Sequence, residues 1–168
     1  MKKRLILVRH ATAEDQTMMI RDFQRELVGK GKADALVMGK WLANNDVVAD
    51  IIVTSSAPRA AQTAVILADQ IAFDSQSIIQ KQLLYDGGPR AYLGVINDIA
   101  DTTGTVVLVG HNPDITYFAE YLSGADIGSM SKCGIVILEA DGLGWSEISS
   151  KTLKFISYTT ARQIREVS

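Results

Sequence analysis

Two histidines, and the arginines set near them, are the side chains with the most chemistry to offer in this chain. "LILVRHATAED" (5–15) runs four aliphatic residues into Arg9 and His10. "IIVTSSAPR" (51–59) leads to Arg59, and "VVLVGHNPD" (106–114) leads to His111. One histidine after an apolar run is ordinary in a core or on a surface. Here both histidines of the chain are placed alike, each with features that suit an anion. A neutral imidazole is a competent nucleophile near neutral pH and also a metal ligand. Guanidinium groups present the fork that fits phosphate oxygens. Two of each at one rim would hold a dianion such as a phosphoryl group. A metal centre would need a third ligand, for which Asp15, Asp86 and Asp114 are available, and two arginines nearby would repel the cation. No metal and no other cofactor is expected.

That grouping requires elements that deliver all four residues to one place. "RLILV" (4–8), "DIIVTS" (50–55) and "TVVLVGH" (105–111) are near-continuous apolar runs, the pattern of strands buried on both faces. Helical periodicity lies between them. One stretch runs from about Lys30 to Asn44, one over 58–71 and one from Pro89 to about Asp101. A further helix covers 112–124, with Asn112 as its cap, Pro113 in its first position and Gly124 as its stop. Residues 77–85 suggest a short strand, while 134–141 and 145–150 suggest two antiparallel strands; the polar C-terminal segment carries no clear pattern. Strands alternating with helices predict an α/β fold in three layers, a mainly parallel central sheet with helices on both faces. In such sheets the ligand site lies beyond the carboxyl ends of the strands. Arg9, His10, Arg59 and His111 all follow such ends.

Composition narrows the rest. The 168 residues, 47% hydrophobic and 21% charged, are read as one domain over 1–168. A net charge of −2 lacks the basic face that nucleic-acid binding needs. "MKKRLILV" begins like a secretion signal, but Arg9 ends its apolar run well short of the roughly 7–15 residues such a signal uses. No run approaches the roughly 18 apolar residues of a membrane span. Cys133 is the only cysteine, which rules out an internal disulfide and favours a reducing, cytoplasmic setting.

The ordered set "LVRHATAED", "SSAPRAAQT" and "VVLVGHNPD" resembles the signature of the histidine phosphatase superfamily, in its small branch, and most of all SixA-type phosphohistidine phosphatases. The family's Arg-His-Gly motif stands here as Arg9-His10-Ala11, and Arg59 with Gln62 and Thr63 matches the second motif. His111 falls on the second histidine. "RELVGKG" (25–31) matches a further stretch, with Val28 where the family has threonine, a change at a helix cap. The resemblance implies a phosphoglycerate mutase-like fold. It also implies a covalent phosphohistidine formed on His10, with Arg9, Arg59 and His111 gripping the phosphoryl oxygens and Arg25 and Asn112 as substrate contacts. Larger members use a carboxylate acid. Glu14, Asp15 and Asp86 are the local candidates here, and none is singled out. A leaving imidazole needs less acid assistance than an alkoxide, which favours phosphohistidine on a protein as the substrate. A phosphotransfer domain or phosphocarrier is thus the expected partner, with a small phosphoester the alternative. A mutase and a phosphate-binding module without turnover fit less well. A dinucleotide binder fits least, since no glycine-rich loop follows the first strand.

Overall fold

The computed structural model describes residues 1–167. Six strands form one sheet: β1 (Lys2–Arg9), β2 (Ile51–Ser55), β3 (Ile79–Lys81), β4 (Thr105–Gly110), β5 (Ile135–Asp141) and β6 (Lys154–Thr159), in the order β3-β2-β4-β1-β5-β6. β1, β2, β3 and β4 pair in parallel, whereas β5 and β6 add an antiparallel edge. The helices are α1 (Gly29–Asn44), α2 (Pro58–Gln70), α3 (Leu83–Asp86), α4 (Pro89–Asn97), α5 (Asp114–Ser123) and α6 (Ala161–Glu166). Among the described residues no helix is long and apolar enough to cross a membrane.

The apolar runs are continuous because alternate residues serve two different cores. Ile6, Val8, Ile52, Val107 and Val109 pack on one face with α1 and α2. Leu5, Leu7, Val53, Val106 and Leu108 pack on the other with α4 and α5. The register pairs Ile6 with Val107 and Leu7 with Leu108, so side chains on a given face sit side by side. The same register carries Arg9 opposite Gly110, and His10 donates its backbone N–H to the Gly110 carbonyl (3.0 Å). The sheet therefore sets both histidines at neighbouring strand exits.

Several boundaries differ from the expectation. Residues 145–150 are not a strand. Trp145 is fully buried, its indole N–H donating to Thr103 O (2.9 Å), and a 3₁₀ turn at Trp145–Glu147 holds it there. The second antiparallel strand comes later, as β6. The helix beginning at Pro89 stops at Asn97, whose amide donates to the carbonyls of Trp145 and Ile148. Within 77–85 only three residues are strand, and Leu83–Asp86 turns into α3. α5 begins at Asp114 with Pro113 as its N-cap, after a cis Asn112–Pro113 peptide, so Asn112 is not the cap. The C-terminal segment forms β6 and α6, the latter started by the reciprocal pairing of Thr160 and Gln163.

Candidate active site

The chain leaves β1 through a clamp. Cys133, in a left-handed conformation (φ 60°), donates its N–H to the carbonyls of Arg9 (2.9 Å) and His10 (3.1 Å). On the other side Thr63 accepts from the Ala11 N–H (3.1 Å) and donates to Arg59 O (2.7 Å). One hydroxyl thus ties the helix carrying Arg59 to the loop carrying His10. Gln62 accepts from the Leu27 N–H (2.8 Å) and donates to the Glu26 carboxylate (2.7 Å), holding the far end of that loop. Gly31 lets α1 approach: a Cβ there would stand 2.0 Å from Thr12 O. Val28 caps α1 without a side-chain bond, while its N–H donates to Thr12 O (3.1 Å).

The four principal residues come together as expected. His10 and His111 lie with ring centroids 5.1 Å apart, and both are buried, at 6% and 8% exposure. His10 Nδ1 is 2.7 Å from Ala11 O. A carbonyl only accepts, so Nδ1 carries the proton and Nε2 keeps its lone pair. Arg59 Nε stands 3.4 Å from that Nε2. Burial first, then the charges of Arg59 and Arg9 and the neighbouring His111, lower His10 to about 3, against the bond to Ala11, which raises it. Burial likewise lowers His111 to about 4. Both imidazoles are therefore neutral at pH 7. His111 Nε2 lies 2.7 Å from Ser55 Oγ, which already accepts from the Ala57 N–H (3.1 Å). With the Ser55 hydroxyl proton given to His111 Nε2, the ring's own proton sits on Nδ1 and makes it a donor on the other side; with the roles reversed, Nδ1 is an acceptor.

Arg9 donates Nη1 to Met130 O (2.8 Å). Arg9 Nε and His111 Nδ1 are buried without a hydrogen-bond partner among the described residues. Native structures leave few such groups, and an oxyanion supplies the acceptor that each lacks as a donor. Asn112 turns its amide to Ser129 Oγ (3.0 Å) and Met130 O (3.0 Å), so it shapes the turn that holds Arg9.

Sequence reasoning does not single out Asp22, Tyr85 or Ser55. Asp22, on a 3₁₀ turn (Asp22–Gln24), accepts from Arg59 Nη2 (3.1 Å), Arg25 Nη1 (2.8 Å) and the Tyr85 hydroxyl (2.8 Å). Arg25 is thus linked to Arg59 through a carboxylate. Tyr85 sets its ring edge-on to His111 (5.6 Å between centroids) and to Phe23 (4.9 Å). One signal was available: Asp22 precedes Arg25 by three residues, the spacing of an ion pair on one turn. The earlier carboxylate candidates are engaged or exposed elsewhere. Glu14 accepts from the Glu26 N–H, Asp86 from Gln82, and Asp15 is exposed. The lone thiol of Cys133 is buried and raised to about 12, which makes it inert.

A mixed α/β sheet thus sets paired histidines and arginines beyond its parallel strand ends, an arrangement whose chemistry suits an oxyanion. The profile of the histidine phosphatase superfamily (branch 1) matches residues 5–84. An uncharacterized chloroplastic protein of Arabidopsis thaliana is 29% identical over 86% of this chain and 70% of its own. A structure from Agrobacterium tumefaciens, provisionally assigned as the phosphohistidine phosphatase SixA, superposes with a TM-score of 0.79 at 25% identity, covering 94% of this chain and 97% of that one. The protein histidine phosphatase SixA complexed with tungstate shares the fold, with a TM-score of 0.81 at 18% identity over 96% of this chain and 99% of that one. The family match thus lies on residues 5–84, within a chain whose whole fold superposes on the SixA structures.

Proposed function

We propose that this protein is a phosphohistidine phosphatase that acts on a phosphorylated protein through a covalent intermediate on His10 and requires no metal. The observation that carries the reading is the state of His10: buried, neutral, protonated at Nδ1 by its bond to Ala11 O, with Nε2 facing Arg59. Nε2 attacks phosphorus as the bond from phosphorus to the substrate's imidazole nitrogen breaks, and that imidazole, which already carries a proton on its other ring nitrogen, departs neutral. Water then attacks phospho-His10, releasing inorganic phosphate and restoring the ring. The two-step route splits one difficult displacement into two. Arg9, Arg59 and His111 supply the positive charge and donors that phosphoryl transfer depends on. The SixA structure of the same fold is a complex with tungstate, a tetrahedral oxyanion like phosphate, which supports reading this protein as a binder of such anions. A single buried thiol suits a cytoplasmic setting.

The test is hydrolysis of a phosphohistidine-bearing protein, of phosphoserine and of a generic aryl phosphate, by wild type and His10→Ala. The expected result is fastest turnover of the phosphohistidine protein, an acid-labile phosphoryl label on His10, and loss of at least about a thousandfold in rate on His10→Ala. Equal hydrolysis by the two proteins removes His10 as nucleophile. Preference for small phosphomonoesters would favour the small-molecule reading of the same pocket.

A further inference from the structure

Asp22 is an unexpected neighbour for a phosphoryl seat. It carries the same sign as the substrate group, yet it is among the most firmly tied side chains of the site. Arg25, Tyr85 and Arg59 outweigh its partial burial and hold its carboxyl at about 2. It is therefore charged whenever substrate arrives.

Guanidinium geometry says where that charge sits. On any arginine, Nε–H and one Nη–H point the same way and form the edge that takes two phosphate oxygens side by side. On Arg59 this edge is divided: Nε faces His10 Nε2 (3.4 Å) and Nη2 faces Asp22 Oδ2 (3.1 Å). The remaining nitrogen, Nη1, donates to the Asp22 carbonyl (2.7 Å). Oδ2 thus occupies Nη2 of the same guanidinium whose Nε faces the nucleophilic nitrogen. All three guanidinium nitrogens are engaged, and Arg59 is only 4% exposed. A phosphoryl oxygen that takes the place of Oδ2 on Nη2 must displace it.

The turn that carries Asp22 lies in a loop outside the sheet. The loop around it is fastened at its two ends, by Glu14 N–H to Glu26 O (2.8 Å), Val28 N–H to Thr12 O (3.1 Å) and Leu27 N–H to Gln62 (2.8 Å). Between them Asp22 is held on the site mainly by its side-chain bonds and by Arg59. The Tyr85 hydroxyl, on Oδ2 itself, acts as a latch.

We propose that Asp22 is a resident anion: its carboxylate fills one phosphoryl-oxygen position on the Arg59 fork, gives way to the substrate, and returns to expel inorganic phosphate, so that Asp22 sets the affinity of the site for oxyanions. The inference rests on reading this site as a phosphoryl pocket. Asp22 here is a specificity residue that competes for Arg59 and does not act on the reacting atoms.

The test is direct titration of inorganic phosphate and of tungstate into wild type, Asp22→Asn and Tyr85→Phe by calorimetry, with phosphate inhibition of aryl phosphate hydrolysis as a second readout. Asp22→Asn keeps the shape and removes the charge, so both anions should bind at least about tenfold tighter, with the inhibition constant for phosphate falling in parallel. Tyr85→Phe removes the latch alone and should tighten binding about two- to threefold in the same direction. Unchanged or weaker binding in Asp22→Asn overturns the proposal, because a residue that merely positions Arg59 would weaken the site when altered. If no form binds either anion, the phosphoryl pocket itself falls and this inference with it. If wild type and Asp22→Asn bind alike, only the role of Asp22 falls.

Discussion

Two halves of the site are held in place by different means. Arg9, His10, Ser55 and His111 stand at the ends of β1, β2 and β4, where backbone register decides their positions. Asp22, Arg25 and Tyr85 arrive from a loop and a four-residue helix, and side-chain bonds to one another and to Arg59 decide theirs. The strand-end residues are more buried, with His10 and His111 under 10% exposed, whereas Asp22 keeps 37% of its side chain accessible. The difference teaches a division of labour. The strand-end set is a fixed frame for the nucleophile, and the loop-borne set is the adjustable part that meets or yields to a ligand. Each part can be challenged separately.

The largest expected effect comes from the buried histidines of the frame. Their pKa values in the fold, about 3 and about 4, lie below the value near 6.5 of an unfolded histidine. Between these limits the unfolded chain binds more protons than the native one, so stability falls as pH falls, beginning near 6.5. Going from pH 7 to pH 5 should cost about 2 kcal/mol for each histidine, an upper figure for two neighbouring rings. Asp22 pulls in the same direction only at much lower pH, as its carboxylate protonates. Urea unfolding at pH 7 and pH 5 measures the drop, and His111→Asn should flatten part of it. A flat profile over that range would mean that the imidazoles are not held neutral by burial, and the contrast between frame and loop would lose its electrostatic basis.

A smaller effect is expected where β4 delivers His111. Gly110 leaves room for Tyr92: a Cβ at that position would stand 2.4 Å from the Tyr92 hydroxyl oxygen. That hydroxyl accepts from the His111 N–H (3.0 Å) and donates to Leu84 O (3.1 Å). Gly110→Ala must push the ring aside and should destabilise the fold by about 2–3 kcal/mol, by overpacking. Thermal unfolding measures the cost. Turnover of an aryl phosphate should fall as well, since His111 loses its backbone anchor. A variant as stable and as active as wild type would show that the strand end tolerates displacement, and that the frame is less fixed than its burial implies.

The same division explains what the sequence discloses. The strand-end residues are legible because apolar runs mark the strands and the rule of carboxyl-end sites then locates Arg9, His10, Arg59 and His111 without further information. Gln62 and Thr63 are visible as part of a motif, but their work is visible only in three dimensions, as bonds to Leu27 and Ala11 from 35 and 52 residues away. Asp22 and Tyr85 meet across 63 residues, and no local periodicity encodes that meeting. The misplaced last strand has a similar origin. Trp145 and Ile148 look like strand residues because they are apolar, yet they are buried by a 3₁₀ turn capping one core rather than by the sheet.

Asn112 sits on the boundary between the two halves and carries the smallest expected effect. It follows β4 directly, as a frame residue would, but its amide is given to Ser129 and Met130, and its carbonyl accepts from Thr116. Met130 O in turn accepts from Arg9 (2.8 Å), so Asn112 reaches the site through one intermediate. Asn112→Ala should therefore lower stability by about 1 kcal/mol through lost hydrogen bonds, with a several-fold fall in kcat as Arg9 loosens and little change in KM. Steady-state kinetics on an aryl phosphate, set beside urea unfolding, separates the alternatives. A rise in KM at unchanged stability would make Asn112 a direct contact to substrate, as the family resemblance implies, and would move it from the support of Arg9 into the ligand-facing set.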